Sequence, residues 1–332
     1  MNARFHESLP TSHPADLRLT DLRPTPDDIT RDALAGLART PKRLQSKYFY
    51  DARGSQLFEA ITRVPEYYLT RTEIALMETR MTDIAALSGA HTHVVEYGSG
   101  SGCKTRLLLD ALTDPVAYTP IEISRSALLA SVERLGDEFP AIEMLPVCAD
   151  FTKPVRLPRP TRDAAHTLVF FPGSTLGNFT SDEAVALLRA MRVTMGDHGA
   201  ALIGIDLQKD PALIEAAYND TAGVTAQFTL NLLARLNREI GSDFDLDGFE
   251  HFAVYDRKAG RIETFLISRR AQDVHVGPHA FHFAADEAMQ VEYSQKYTDA
   301  GFGELARQAG LRVSGRWNDS RDWFGLRLVV PA

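Results

Sequence analysis

The chain has 332 residues, 44% of them hydrophobic and 24% charged, with a formal net charge of −8. The length allows a large core plus an addition to it, and the composition is that of a globular chain rather than a disordered or fibrous one. The acidic balance argues against nucleic acid as the main partner, because phosphate binding calls for a basic face. Two cysteines, Cys103 and Cys148, have no CxxC spacing and no histidine at ligand spacing, so they read as free thiols of a reducing compartment. The N-terminal MNARFHESLPTSHP lacks an apolar signal core, and no apolar run of roughly 18 residues occurs. The expectation is a cytoplasmic protein without a membrane or nucleic-acid partner.

In chain order, residues 1–26 are polar and proline-punctuated and read as an N-terminal arm. The stretches RDALAGLA and RTEIALMETRMTDIAAL have helical apolar spacing. Between them, KYFYDARGSQLFEAITRVPEYYLTR is dense in tyrosine and phenylalanine, which fits either core or the lining of a cavity. The centre alternates. HVVEYG, VAYTPIEIS, IEMLPVCAD, HTLVFFPGS and AALIGIDLQ read as strands, and CKTRLLLDAL, RSALLASVERLGDEF and DEAVALLRAMRVTM as helices. That rhythm predicts βαβ units and a parallel sheet covered on both faces. After Pro211 it breaks: a long helical segment, TAGVTAQFTLNLLARLNREI, precedes strand-like FEHFAVYD and RIETFLISRR, and then DAGFGELARQAG (helix) and WFGLRLVV (strand) close the chain.

The segment Glu96-Tyr97-Gly98-Ser99-Gly100-Ser101-Gly102 falls where the first central strand meets its helix. Glycines there permit a sharp turn and a close backbone approach, and the helix N-terminus favours negative charge. A dinucleotide fingerprint counted from Gly98 fails, because position 103 is cysteine; a P-loop fails at the same cysteine although Lys104 and Thr105 keep its register. Glu122, at the end of the next strand, can accept from ribose hydroxyls, and Asp150-Phe151 can offer a carboxylate and a ring face to an adenine. This pattern fits S-adenosylmethionine (SAM) best. A phosphate binder and a ligand-free turn remain open on the residues alone.

KYFYDARGSQLFEAITRVPEYY, EYGSGSGCKTRLLL, FFPGSTLGNFT, YNDTAGVTAQF and VEYSQKY, in this order from about Lys47 to the C-terminus, resemble the histidine-specific Nα-methyltransferases of ergothioneine biosynthesis, whose relatives include fungal enzymes acting on prenylated tryptophan. The resemblance implies an α/β fold: a Rossmann-like class I SAM methyltransferase sheet (residues 76–210 and 291–332) with a second, α+β substrate-binding subdomain built from an N-terminal segment and an insertion (27–75 and 211–290). It implies SAM as cofactor, free histidine as small-molecule partner, a monomer, and three successive methylations to the trimethyl betaine, hercynine. Cofactor residues carry over to Gly98, Lys104, Glu122, Asp150 and Phe151, with Tyr50, Phe58 and Gly173 around the methyl-transfer pocket; Glu122 stands where some members have aspartate.

The resemblance further assigns Asn178 and Tyr218 to the substrate's α-carboxylate, Asn178 also to its amine, and Tyr67, Glu292 and Ser294 to the imidazole. A carboxylate suits a ring N–H, and it would be left unpaired by a side chain lacking one. Asn178 and Tyr50 are the expected catalytic pair, orienting the amine and relaying its proton. Thr264 stands where the family has a methionine against the substrate, which leaves room for a larger ring. Taken singly, Tyr67 or Tyr218 reads as packing, Glu292 as a solvated surface group and Asn178 as a cap near the helix opened by Thr180 or Ser181; only the set in order points to a site. His275, His279 and His282 lie on a strand-and-turn segment, and no metal is expected there or elsewhere.

Overall fold

The computed structural model describes residues 18–23, 25–100 and 102–332. Most of the expected arm, 1–26, and Ser101 of the glycine turn lie outside the described residues. A short strand β1 (Thr20–Leu22) is followed by α1 (Pro26–Leu37), a 3₁₀ turn at Ser46–Phe49, α2 (Ala52–Ile61) and α3 (Leu69–Ser88). Strand–helix alternation then gives β2 (Thr92–Tyr97), α4 (Cys103–Ala111), β3 (Ala117–Glu122), α5 (Arg125–Glu138), β4 (Glu143–Met144), β5 (Val147–Ala149), β6 (His166–Phe171), a 3₁₀ turn at Thr175–Asn178, α6 (Ser181–Met195) and β7 (Ala200–Asp206). The insertion supplies α7 (Pro211–Tyr218), α8 (Val224–Ile240), β8 (Phe249–Asp256), β9 (Arg261–Ser268), β10 (Gln272–Val276), β11 (His279–Phe283) and β12 (Ala288–Gln295). The chain ends with α9 (Asp299–Gln308), β13 (Leu311–Asn318) and β14 (Phe324–Pro331).

The main sheet runs β1-β5-β3-β2-β6-β7-β14-β13, with β4 beside β3. Pairings from β1 to β7 are parallel; β14 is antiparallel to β7 and to β13. Its central strands are buried on both faces, and their side chains alternate. Val94 joins Met77 and Ile84 of α3 and Leu108 of α4 on one face. Val95 joins Leu188 and Met191 of α6 and Phe302 of α9 on the other. Burying such a side chain is worth about 1.5–3 kcal/mol, so the apolar runs specify the three-layer arrangement without help from polar contacts.

The chain moves outward from β2 through β3 to β5 and then returns to the other side of β2 as β6. At such a reversal the connections after two neighbouring parallel strands diverge to opposite faces, which opens a crevice at their C-terminal ends. The glycine turn follows β2, and Gly173-Ser174 follows β6, so both face that crevice.

Three differences from the expected elements have physical causes. IEMLPVCAD is two strands, β4 and β5, because Pro146 has no N–H to continue the ladder. β13 is an unanticipated edge strand, rich in polar residues and bulged between Val313 and Gly315, so it lacks an apolar run. β12 pairs antiparallel with β9 along its length, placing Glu292 and Ser294 on a second, three-stranded sheet β12-β9-β8. The expected divisions at 75/76 and 290/291 thus fall inside α3 and β12. The second sheet packs against α1, α2, α7 and α8 around Leu232, Leu233, Ile262 and Val291. On leaving β12 the chain meets the end of β7: Tyr297 N–H donates to Asp206 O (2.8 Å) and Gln208 N–H to Tyr297 O (3.0 Å). That bridge joins the two sheets beside the crevice.

Thr180 is the N-cap of α6, with a reciprocal box in which its hydroxyl accepts from Glu183 N–H and Glu183 accepts from Thr180 N–H. Replacing Thr180 with Ala is expected to lower stability by about 1 kcal/mol, read as a shifted urea midpoint with an unchanged slope.

Candidate functional site

β2 ends at Tyr97, and Gly98 turns away with φ 78° while its N–H donates to Ile121 O at 2.8 Å. Gly100 and Gly102 also hold positive φ, and Gly102 precedes the first turn of α4. Glu96, the acid that opens the motif, does not face the crevice. It is enclosed and accepts from Thr105 (2.6 Å) and Tyr118 (2.5 Å), and burial pushes its carboxyl up to about 8. It braces the turn from behind.

Glu122, at the end of β3, receives the N–H of Gly100 (3.2 Å) and of Ser124 (2.9 Å), and burial raises its carboxyl above the ordinary value. Each oxygen keeps a lone pair for a hydroxyl. Asp150 follows β5 and accepts from Thr152 and from Lys47 (3.1 Å). The Phe151 ring centroid lies 5.7 Å from those of Tyr97 and Phe171. A Cβ on Gly98 would reach within 3.6 Å of Phe151, whereas one on Gly100 would meet open space. The Ser99 hydroxyl is buried without a protein partner. A ring face at Phe151, an orphaned hydroxyl at Ser99 and two carboxylates at neighbouring strand ends are the donor, acceptor and stacking groups that an adenosyl group would use. Lys104 is turned elsewhere: its ammonium donates to Glu73 (2.6 Å), whose carboxylate also receives the Gly173 N–H at 2.9 and 3.0 Å. It is thereby tied to the loop after β6.

On the other side of Gly173 is a half-enclosed cavity with about 550 Å³ of atom-free space, the open mouth included. Its aromatic wall comprises Tyr50, Phe58, Tyr67, Tyr218 and Phe228, with neighbouring centroids 5.5–6.4 Å apart. The polar wall comprises Gly173, Ser174, Thr175, Asn178, Glu292 and Ser294, with Thr225 nearby. Eight of the expected site residues therefore share one cavity. A β-bulge between Gln290 and Glu292 immediately precedes Glu292 and re-aims its side chain.

Four polar ends facing this space are not engaged by protein. The hydroxyls of Tyr50 and Tyr67, the Asn178 amide and the Glu292 carboxylate make no side-chain hydrogen bond among the described residues. Burial pushes the Glu292 carboxyl up to about 7, with Lys296 pulling the other way. Tyr50 is held well above the ordinary phenol value, first by burial, then by Glu292, Tyr67 and Glu122, so it stays protonated. Glu122 and Glu292 both act on it because it stands between the adenosyl side and the cavity. Four polar ends turned toward one half-enclosed space with no protein partner among the described residues mark a site for a polar ligand.

Thr264 is not part of the cavity wall. It lies directly opposite Glu292 on β9, buried, its hydroxyl without a partner. His275 pairs with Asp243 and His282 with Asp273, on separate strands of a hairpin. No group of three or more His, Cys, Asp or Glu side chains able to hold a metal occurs among the described residues.

Sequence reasoning missed a second layer. Asp206, at the end of β7, is fully enclosed and receives Tyr68 (3.0 and 2.8 Å), Lys209 (2.5 Å) and Lys296 (2.8 Å). Burial pulls Lys209 down to about 8 against the attraction of Asp206. The Asp206 N–H donates to the Ser174 hydroxyl (2.8 Å), which offsets the cost of a left-handed serine at φ 60°. An acid ending an apolar strand of a parallel sheet was the available signal. The lysines gave none, since lysine is seldom buried. Phe228 stood within the quoted YNDTAGVTAQF but had no signal beyond its aromatic character.

Residues 29–331 match the family described as "Histidine-specific methyltransferase, SAM-dependent". The histidine N-alpha-methyltransferase of Mycolicibacterium smegmatis is 42% identical over 308 residues, covering 91% of this chain and 94% of that one. The ergothioneine biosynthesis protein 1 of Neurospora crassa is 30% identical over 304 residues, covering 88% of this chain and 33% of that protein. Among solved structures, a SAM-dependent methyltransferase from Clostridium acetobutylicum aligns with a TM-score of 0.48 at 11% identity, over 83% of this chain and 98% of that one. A match over nearly the whole chain, with close relatives of the same length, means that this protein belongs to the SAM-dependent, histidine-specific methyltransferase family.

Proposed function

We propose that the protein transfers methyl groups from SAM to the α-amine of free L-histidine, three times, to give the trimethyl betaine hercynine, as in ergothioneine biosynthesis. The observation carrying this reading is the unpaired Glu292 carboxylate opening into an aromatic cavity bounded at Gly173 by the loop after β6. Family membership and relatives named as histidine N-alpha-methyltransferases support it. The reading takes the main sheet as the cofactor domain, and β12-β9-β8 with α1, α2, α7 and α8 as the substrate subdomain. It also takes the protein to be a cytoplasmic monomer; Cys103 and Cys148, both free thiols, fit a reducing compartment.

SAM supplies a methyl group already activated on a cationic sulfur. The chain's task is to present a neutral amine in line at near-attack distance, because an α-amine is largely protonated at neutral pH. Glu292 takes a ring N–H and Tyr67 completes the imidazole contacts, whereas Ser294, expected at the imidazole, is bonded to Tyr218 and Lys296 and is read with Tyr218. Asn178 and Tyr218 hold the carboxylate, and the Asn178 amide oxygen directs the amine. Tyr50, kept protonated, offers its oxygen to an amine N–H and passes the released proton to water rather than storing it. Each transfer forms an N–C bond as the S–C bond breaks and releases one proton. Tyr50, Phe58 and Phe228 surround the increasingly methylated cation with ring faces worth about 0.5–2 kcal/mol.

A second reading, a larger aromatic amino acid, comes from Thr264 in the sequence, and its place opposite Glu292, buried and outside the cavity wall, leaves that reading without structural support. An amino-acid panel scored by thermal shift with S-adenosylhomocysteine separates the two, because the true substrate stabilises the fold by mass action.

With purified protein, histidine and excess SAM, mass spectrometry should show the trimethyl species dominating; accumulation of the monomethyl product defeats the triple transfer. Glu292→Ala is expected to lower kcat/KM for histidine by about 30- to 1,000-fold, the loss of a buried charge-assisted hydrogen bond, with SAM affinity changed less than about threefold. Unchanged histidine kinetics would remove Glu292 from the ring pocket. The same carboxyl makes stability depend on pH. Its folded value of about 7 lies above the ordinary 4.5, so the folded state holds the proton more tightly and stability falls as pH rises between those values. Glu292→Gln should match the ligand-free parent near pH 4.5 and exceed it by about 1–3 kcal/mol at pH 8, measured by chemical denaturation at both pH values.

A further inference from the structure

Lys296 lies behind the cavity wall with its ammonium fully enclosed. Its three N–H bonds are all assigned: Asp206 Oδ2, Tyr218 Oη and Ser294 Oγ each lie 2.8 Å from Nζ. An ammonium has three donors and no acceptor, so both hydroxyl oxygens must accept from it. Tyr218 and Ser294 are also 2.6 Å from each other, and one of them donates to the other. Two hydroxyls carry two hydrogens. One is consumed between them, and neither can turn back onto Lys296. The remaining O–H has only the cavity to point into.

Charge points the same way. Lys209 and Lys296 share the single carboxylate of Asp206, so the enclosed cluster carries one net positive charge. Tyr68 adds a donor to Asp206 and no charge. Two residues before Ser294 on the same strand, also lining the cavity, stands the acid Glu292. In a low-dielectric surround a fixed charge behind a hydroxyl strengthens the bond that hydroxyl donates.

We propose that Lys296 is a positioning residue that makes the Tyr218–Ser294 pair an obligate hydrogen-bond donor, backed by positive charge, to the carboxylate of the free amino acid. The cavity therefore presents two unlike groups, an acceptor at Glu292 and a charge-backed donor at Tyr218–Ser294. It selects an amino acid over the corresponding amine. This inference rests on the proposed substrate site, in which Tyr218 meets the carboxylate. Lys296 itself acts only through the two hydroxyls.

Lys296→Met leaves Asp206 paired with Lys209 and Tyr68 and takes the cluster from one positive charge to none, so no carboxylate is left bare. The test is calorimetric affinity for L-histidine and for histamine, which lacks the carboxylate, in the full chain saturated with S-adenosylhomocysteine. In Lys296→Met, L-histidine binding is expected to weaken about 10- to 100-fold, the range of one charge-assisted hydrogen bond, while histamine changes less than about threefold. Lys296→Arg should recover part of the preference. If the methionine variant fails to fold, Lys296→Gln is read in the same way, with a smaller loss expected. An unchanged histidine-to-histamine ratio in a folded variant overturns the proposal, and so does an equal weakening of both ligands and S-adenosylhomocysteine, which marks a purely structural lysine. Tyr218→Phe separates the two levels. A ratio that falls in Tyr218→Phe but holds in the Lys296 variants leaves the substrate site standing and removes only the role of Lys296. A ratio that holds in Tyr218→Phe as well removes the carboxylate site.

Discussion

A carboxylate with no access to water must be neutralised where it stands, and Asp206 imposes that requirement at the seam between the two sheets. Its partners come from distant stretches of chain: Tyr68 just before α3, Lys209 three residues onward and Lys296 just past β12. The same residue's N–H holds Ser174, and its carbonyl receives Tyr297. Satisfying one acid thus brings the end of the parallel sheet, the loop after β6 and the exit of the second sheet to one place. Buried ion pairs are weak sources of net stability, since desolvation consumes much of the Coulomb gain. An apolar residue could join these elements at lower cost. The retained charge is better accounted for by what it does to the hydroxyls beside it.

The legible part of the fold followed from periodicity. The apolar runs at β2, β6 and β7 and the amphipathic α6 and α9 declare themselves locally, and the order strand–helix–strand restricts them to a parallel sheet with two covered faces. The glycine turn was legible for a similar reason, because positive φ at Gly98, Gly100 and Gly102 leaves a residue-level mark. What could not be read was pairing across distance. VEYSQKY gives no local sign of whether it joins the sheet after it or the insertion before it, and the answer depends on β9 nearly thirty residues earlier. Lys296 was hidden in the same way: only its three partners, brought in by that pairing, make its burial tolerable.

The site residues divide likewise. Individually Tyr67, Tyr218, Asn178 and Glu292 carry little information, and it took the ordered set of motifs to gather them. The structure adds a reason independent of that order, namely that the polar ends of Tyr67, Asn178 and Glu292 converge on one space with no side-chain hydrogen bond made among the described residues, beside a Tyr218 hydroxyl held by Ser294 and Lys296. Lys104 shows the converse. The motif marks it as important, and the structure shows it bonded to Glu73, which also holds the Gly173 N–H. Gly204 in β7 belongs to the same arrangement, because a Cβ there would lie 2.6 Å from Glu73 Oε1. The path between adenosyl side and cavity is therefore shaped by a fully buried acid that no motif brought forward.

The electrostatics of the cavity also bear on how methylation can proceed to completion. A strong base beside the amine would help the first transfer but would remain as a charged group next to a cation that ends with no N–H to donate. Tyr50, kept protonated by burial and by two nearby carboxylates, avoids that conflict: its oxygen accepts while an N–H remains, and its ring face remains useful when none does. Glu292 and the Tyr218–Ser294 pair act on the ring and the carboxylate, groups that do not change as methyls accumulate. On the proposed reading the grip on the substrate is thus independent of the methylation state of the nitrogen. A triple transfer requires that independence, because the amine must be presented at the same place each time while its own hydrogen bonds disappear one by one.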